Sequence, residues 1–251
     1  MISIHGCFCF IPAHASRHYL YGSGDSFCYS LSKLPALYTI HCISGLGADQ
    51  RIFQKLNVPG ARLQAVPWPY FDKHDQMACY AQKVAALIPA DPDNIILGLS
   101  FGGMLASEIV RSEPSRKAIL VSSAKSPSEL HPVSKFLEFI GKHRLLPTSL
   151  TSLISKQMAE RFGAKSAAEI SLIRSIINET DPHFASCAIK ALMEWKTTTP
   201  PPPGIVHIHG TADRILPPDL IKPSYWIEGG EHIMIYNRAD EISKLIGKSL
   251  L

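Results

Sequence analysis

The sequence predicts an α/β fold, a mostly parallel sheet of about six strands flanked by helices. Three observations carry this. From Tyr38 onward, short β-rich runs alternate with helical patterns. One run, Asn94 to Leu99, is apolar nearly throughout, as a strand covered on both faces must be. The alternation then lapses for roughly 70 residues, from about 125 to 196, in a stretch whose apolar spacing is helical throughout.

In chain order, "LYTIHCI" is the first strand, and it ends in the loop Ser44-Gly45-Leu46-Gly47. Asp49 can N-cap a helix through "QRIFQKL". "ARLQAVPWP" reads as a second strand that Pro67 and Pro69 stop. Met77, Tyr80, Ala81, Val84 and Leu87 share one helical face, which Pro89 closes. "NIILGL" is the third strand, "FGGMLASEIVRS" a helix ended before Pro114, and "KAILVSSA" the fourth strand.

Within the helical stretch, "SKFLEFIGKH" and "LTSLISKQMAERF" each carry one apolar face. Ser166 and Glu169 form a capping box ahead of "ISLIRSII". Asp181-Pro182 supplies an N-cap and an N1 proline for a helix through Trp195. The prolines at 200–203 make a stiff return to "GIVHIHG", the fifth strand. "SYWIEGG" is the sixth, and "NRADEISKLIGKSL" is a closing amphipathic helix.

Composition narrows the function classes. A chain of 251 residues, 46% hydrophobic and 18% charged, suits one α/β domain with an insertion. The net charge of +4 is scattered and forms no basic stripe, which argues against nucleic acid as a partner. No apolar run approaches the ~18 residues that a membrane span needs. The six cysteines, Cys7, Cys9, Cys28, Cys42, Cys79 and Cys187, show neither Cys-x-x-Cys nor zinc-site spacing. They read as free thiols in a reducing, cytoplasmic compartment. Residues 1–37 lack any clear period and read as a poorly structured N-terminal extension. "CFCFIPAHAS" faintly resembles a secretory signal with Ala13-His14-Ala15 as its cleavage site, but it has no basic n-region and its apolar run is short.

The chemistry turns on Gly98-Leu99-Ser100-Phe101-Gly102. G-x-S-x-G alone is a weak signal, and small residues at a strand–helix junction can serve packing only. Here it follows a buried strand and opens a helix, the setting in which a serine is held out as a nucleophile. A serine hydroxyl needs a base, and the base needs an orienting carboxylate. Asp213 follows the fifth strand in "HIHGTADRILP", and His232 follows the sixth in "WIEGGEHIMIYN". Successive carboxyl ends of a parallel sheet share one edge, so Ser100, Asp213 and His232 are expected to gather there. Glu228 and Glu231 flank His232 and are the other candidate acids, though proximity in sequence makes their geometry awkward. His207 and His209 lie two apart on one strand without a third ligand at useful spacing, so no metal site is expected.

These three motifs, in the order Ser, Asp, His, resemble the α/β-hydrolase superfamily over residues 38–251. The resemblance implies a serine hydrolase of the α/β-hydrolase fold, with Ser100 as nucleophile, His232 as general base and then acid, and Asp213 orienting the imidazole. It implies an oxyanion hole from the Phe101 N–H and from the loop after the first strand. That loop usually begins His-Gly. Here it is Ser44-Gly45-Leu46-Gly47, so Leu46 is the expected second donor. The helical insertion, about 125–196, would be a cap domain. Phe136, Phe139, Met158, Phe162 and Trp195 within it either line an apolar acyl pocket or pack between helices.

The expected activity is hydrolysis of a carboxylic ester or similar acyl bond in a small-molecule substrate, with no metal or organic cofactor. Thioester, C–C bond or peptide hydrolysis would use the same triad. A non-catalytic ligand-binding protein on this fold is the remaining alternative. A haloalkane dehalogenase would carry Asp where this chain has Ser100.

Overall fold

The computed structural model describes residues 37–131, 156–197, 199–201 and 203–250. Six strands form one sheet in the order β2-β1-β3-β4-β5-β6: β1 (Tyr38–Ile43), β2 (Ala61–Ala65), β3 (Asn94–Leu99), β4 (Lys117–Val121), β5 (Ile205–Gly210) and β6 (Tyr225–Ile227). Every neighbouring pair is parallel. The expectation of a mostly parallel sheet is therefore met by a wholly parallel one. The chain leaves β1 for one edge and returns past it to β3, so strand order reverses between these two strands. Their carboxyl ends flank the crevice where parallel sheets bind ligands.

Alternation within the strands feeds two cores. Ile43, Ile96, Leu120 and their neighbours pack under α1 (Met77–Ala85) and α2 (Phe101–Ser112). Ile40, Leu97, Val121 and Ile208 pack on the opposite face against Ile242 and Ile246 of the C-terminal helix α6 (Ala239–Leu250). A short helix α5 (Met234–Asn237), absent from the sequence reading, immediately precedes α6. Several elements end earlier than their apolar patterns do. The segment after Asp49 forms only a 3-10 turn, Gln50–Phe53, although the Asp49 side chain does accept the Arg51 N–H as an N-cap. The second strand ends at Ala65, before Pro67 removes the next ladder donor.

Between β4 and β5 lie a helical segment over 156–162, α3 (Ala167–Glu179) and α4 (Pro182–Met193). Ser166 and Glu169 close a reciprocal capping box at the start of α3, and Asp181 caps α4 through the His183 N–H. The two helices divide between the cores: α3 contributes Ile173 and Ile176 to one, and α4 contributes Phe184, Cys187, Ala188 and Ala191 to the other. Trp195, just beyond α4, is buried against α2, where its Nε1–H donates to Glu108 at 3.1 Å. The segment "SKFLEFIGKH", the first part of "LTSLISKQMAERF", Phe136, Phe139 and residues 1–36 with their three cysteines lie outside the described residues. Cys42, Cys79 and Cys187 are free thiols. Among the described residues no helix is long and apolar enough to cross a membrane.

Candidate active site

Ser100 sits between β3 and α2 with φ 51° and ψ −118°, a left-handed conformation that costs a non-glycine residue about 1–3 kcal/mol. The surrounding glycines are what let the chain turn there. A Cβ on Gly98 would lie 2.4 Å from the Gly103 Cα, and one on Gly102 would lie 2.2 Å from the Ser44 carbonyl oxygen. One on Gly103 would meet the Ser123 Oγ at 2.4 Å. Strand, turn and helix thus interlock at backbone distance. The Ser100 N–H donates to the Val121 carbonyl at 3.0 Å, and the Ser100 carbonyl accepts from Gly103 N, Met104 N and Ser123 Oγ. Ser123 was not singled out from the sequence. Its signal, small polar residues where a buried strand ends at the ligand-binding edge, is detectable only once β4 is known to neighbour β3.

The other two motifs converge on this serine. His232 Nε2 lies 3.0 Å from Ser100 Oγ, and His232 Nδ1 lies 2.8 Å from Asp213 Oδ2. An ionised carboxylate can only accept, so Nδ1 carries the imidazole proton and Nε2 is left bare to accept from the hydroxyl. Asp213 Oδ1 accepts from the Ile215 and Leu216 N–H groups at 2.8 and 2.9 Å, which aims Oδ2 at His232. Burial pushes the Asp213 carboxyl upward, but His232, His209 and the backbone donors outweigh it and hold the group below its ordinary value. Asp213 and His232 are both buried, while Ser100 is half-buried.

The backbone makes this meeting feasible. The Gly230 carbonyl accepts from Ala212 N at 2.9 Å, Thr211 N donates to the Ile227 carbonyl, and Thr211 Oγ1 accepts from Gly229 N. The turns after β5 and β6 are thereby tied together. Of the alternative acids, Glu231 points away to ion pairs with Lys165 at 2.9 Å and Arg214 at 3.7 Å. Asp213 is the carboxylate at the imidazole.

The loop after β1 reaches Ser100 from the other side. The Ala48 N–H donates to the Gly45 carbonyl, and Gly47 has φ 72°, which makes residues 45–48 a type II turn with Leu46 at its second position. A Cβ on Gly45 would lie 3.3 Å from the Ser100 Cβ. Phe101 opens α2, so its N–H has no partner within the helix. Its ring packs among Trp68, Phe71 and Phe184.

The β4–β5 insertion touches both loops. Thr180, at the end of α3, has its Oγ1 3.0 Å from the Gly47 carbonyl oxygen and 2.9 Å from that of Ile176, so its one hydroxyl proton is shared between them. Arg51 bridges Asp49 to Glu179 and Ser175 of α3. Phe162 stands 5.4 Å from the His232 ring, centre to centre, and its carbonyl accepts from the Ile233 N–H. Of the insertion aromatics named from the sequence, Phe162 therefore faces the site, and Trp195 packs elsewhere.

His207 and His209 share a face of β5, with ring centres 5.4 Å apart. Among the described residues no three His, Cys, Asp or Glu side chains are placed to hold a metal ion.

The chain matches no protein-family model and no curated protein sequence. It does resemble solved structures. An esterase from Exiguobacterium antarcticum superposes with a TM-score of 0.63 at 15% identity, covering 87% of this chain and 94% of that one. A thermophilic esterase from Thermogutta terrifontis gives 0.59 at 15% identity, covering 86% and 90%. A hydrolase from Pseudomonas aeruginosa gives 0.63 at 13% identity, covering 85% and 89%. At such identities the likeness concerns architecture, and the architecture is the α/β-hydrolase fold.

Proposed function

We propose that this protein is a serine hydrolase that cleaves a carboxylic ester or similar acyl bond through an acyl-enzyme. The observation that carries the reading is the continuous Ser100–His232–Asp213 hydrogen-bonded line, 3.0 and 2.8 Å long at its two links, built on a strained strand-to-helix turn. The esterases among its structural neighbours support it.

Ser100 Oγ attacks the acyl carbon as its proton passes to His232 Nε2. Asp213 Oδ2 keeps the imidazole in the Nδ1–H tautomer and favours the imidazolium that forms. The negative oxygen of the tetrahedral intermediate is held by the Phe101 N–H and the Leu46 N–H, beside the positive end of α2. Collapse breaks the bond to the leaving alkoxide, which takes the proton from His232. Water then gives its proton to His232 and attacks the acyl-serine, and the acid product leaves with Ser100 restored. The residues at hand complete this cycle without a metal or organic cofactor. The helices between β4 and β5 act as a cap, with Phe162 closing over His232 and Thr180 holding the Leu46 turn.

The test is intact-mass labelling with a fluorophosphonate. One adduct per wild-type chain, absent from Ser100→Ala, is the expected result. A well-folded wild type that takes up no label, or a mutant that still does, would overturn the reading.

A further inference from the structure

A second histidine stands behind the acid, and the reaction cycle does not use it. His209 lies on β5, fully buried, with its Nε2 3.0 Å from the Leu216 carbonyl oxygen. A carbonyl only accepts, so this nitrogen carries the ring proton. The same residue donates its backbone N–H, from the preceding peptide, to Asp213 Oδ1 at 2.9 Å. One hydrogen-bonded line therefore runs from His209 through Leu216 to Asp213, His232 and Ser100.

We infer that His209 is a positioning residue: by donating to the Leu216 carbonyl it fixes the turn whose N–H groups aim Asp213 at His232. This rests on the reading of Ser100, His232 and Asp213 as the reacting groups. Two features separate the role from plain packing. His209 Nε2 is 3.7 Å from Asp213 Oδ2, too far to compete with His232 for that oxygen, so the donor is spent on the turn and Oδ2 is kept for the imidazole. The ring's other nitrogen, Nδ1, is buried with no hydrogen-bond partner among the described residues, so Leu216 is where the ring proton finds its acceptor. The His207 and Trp226 rings pack nearly perpendicular to it at 5.4 and 5.9 Å.

The charged and titratable groups around it are His207 on β5, Asp213 on the turn, His232 after β6 and Glu129 in the turn after β4. Burial favours the neutral ring, Asp213 and Glu129 pull toward the cation, and burial prevails. A neutral Nε2–H imidazole is the form that donates to Leu216 without placing a second cation beside Asp213.

The experiment compares His209→Leu with His209→Gln, whose side-chain amide can restore a donor, using a p-nitrophenyl ester and fluorophosphonate labelling. His209→Leu is expected to lower kcat by about 10- to 100-fold with KM nearly unchanged, and to slow labelling equally. The acid limb of its kcat/KM profile should move to lower pH, because a loosened carboxylate favours the imidazolium less. His209→Gln should recover most of kcat. Wild-type kcat and pH profile in His209→Leu would overturn the inference, as would equal impairment of both variants. Failure of the wild type to label bears instead on the nucleophile. A readout needing no variant is the histidine nitrogen spectrum of the wild type. There the inference requires a protonated Nε2 in the ring assigned to His209. A neutral Nδ1–H tautomer, whose bare Nε2 cannot donate to the Leu216 carbonyl, would overturn it.

Discussion

Gly210 ends β5 so close to Gly230 that a Cβ on it would lie 2.2 Å from the Gly230 carbonyl oxygen. Both partners in that contact are backbone, so no rotamer change relieves it. Gly210→Ala must push the turn after β6 away from the turn after β5, and with it His232 from Asp213. The expected cost is about 1–3 kcal/mol in urea unfolding and about 100-fold in kcat/KM, since an ångström of misplacement at reacting groups costs that much. A variant with wild-type rate would show that the two turns are not what sets the imidazole–carboxylate distance.

The strain at Ser100 predicts an unusual order of stabilities. Ser100→Gly and Ser100→Ala should both lack activity and fluorophosphonate labelling. Only glycine adopts φ 51° without penalty, so Ser100→Gly should exceed Ser100→Ala in stability by about 1 kcal/mol. Urea midpoints at equal slope decide the matter. The reverse order would mean that the turn is not strained.

Acid sensitivity should begin well above the carboxylate range. His207 is fully buried, and burial above all, with the Lys125 cation nearby, disfavours its imidazolium and holds its pKa well below the ordinary value. The unfolded chain takes up that proton near pH 6.5 and the folded chain does not. Below about pH 6.5 the unfolded state binds more protons, so stability falls as pH falls, by at most about 1.4 kcal/mol per pH unit for this group. Asp213, held low in the fold, adds a loss in the same direction only in the lower carboxylate window. Unfolding free energies of the wild type between about pH 7 and 5 should therefore slope, and those of His207→Leu should slope less. Parallel curves would contradict this.

Trp195 and Glu108 form a buried staple between the insertion and α2, with Arg111 Nε 3.2 Å from the same carboxylate oxygen. Trp195→Phe removes one of the two donors and is expected to cost about 1–3 kcal/mol. In a Glu108→Leu background the same change should cost far less, because the hydrogen-bond part of its effect is already gone. Additive effects in that double-mutant cycle would show that packing, and not the bond, holds Trp195.

Much of the architecture was legible because its signals are local. The apolar run Asn94–Leu99, the glycines around Ser100, the Ser166–Glu169 box and the Asp181-Pro182 cap each declare themselves within a few residues, and each element begins where they indicate. Boundaries read from apolar pattern alone were less secure. "QRIFQKL" makes only a 3-10 turn, because Ile52 and Phe53 are buried in a short connection that must return to β2. The short helix Met234–Asn237 carried no cap signal of its own.

The sequence by itself determined the alternation of strands and helices, the strained serine turn and the chain order of the three candidate residues, because periodicity and turn chemistry act between near neighbours. Only the tertiary structure decided which strands adjoin and that Asp213, not Glu231, meets His232. It also decided that Ser123 braces the Ser100 carbonyl, that Phe162 faces the imidazole and that His209 stands behind the acid. Those relations join residues on different elements. Their positions follow from how a twisted parallel sheet and its two cores pack as a whole, and no short window of sequence encodes that packing.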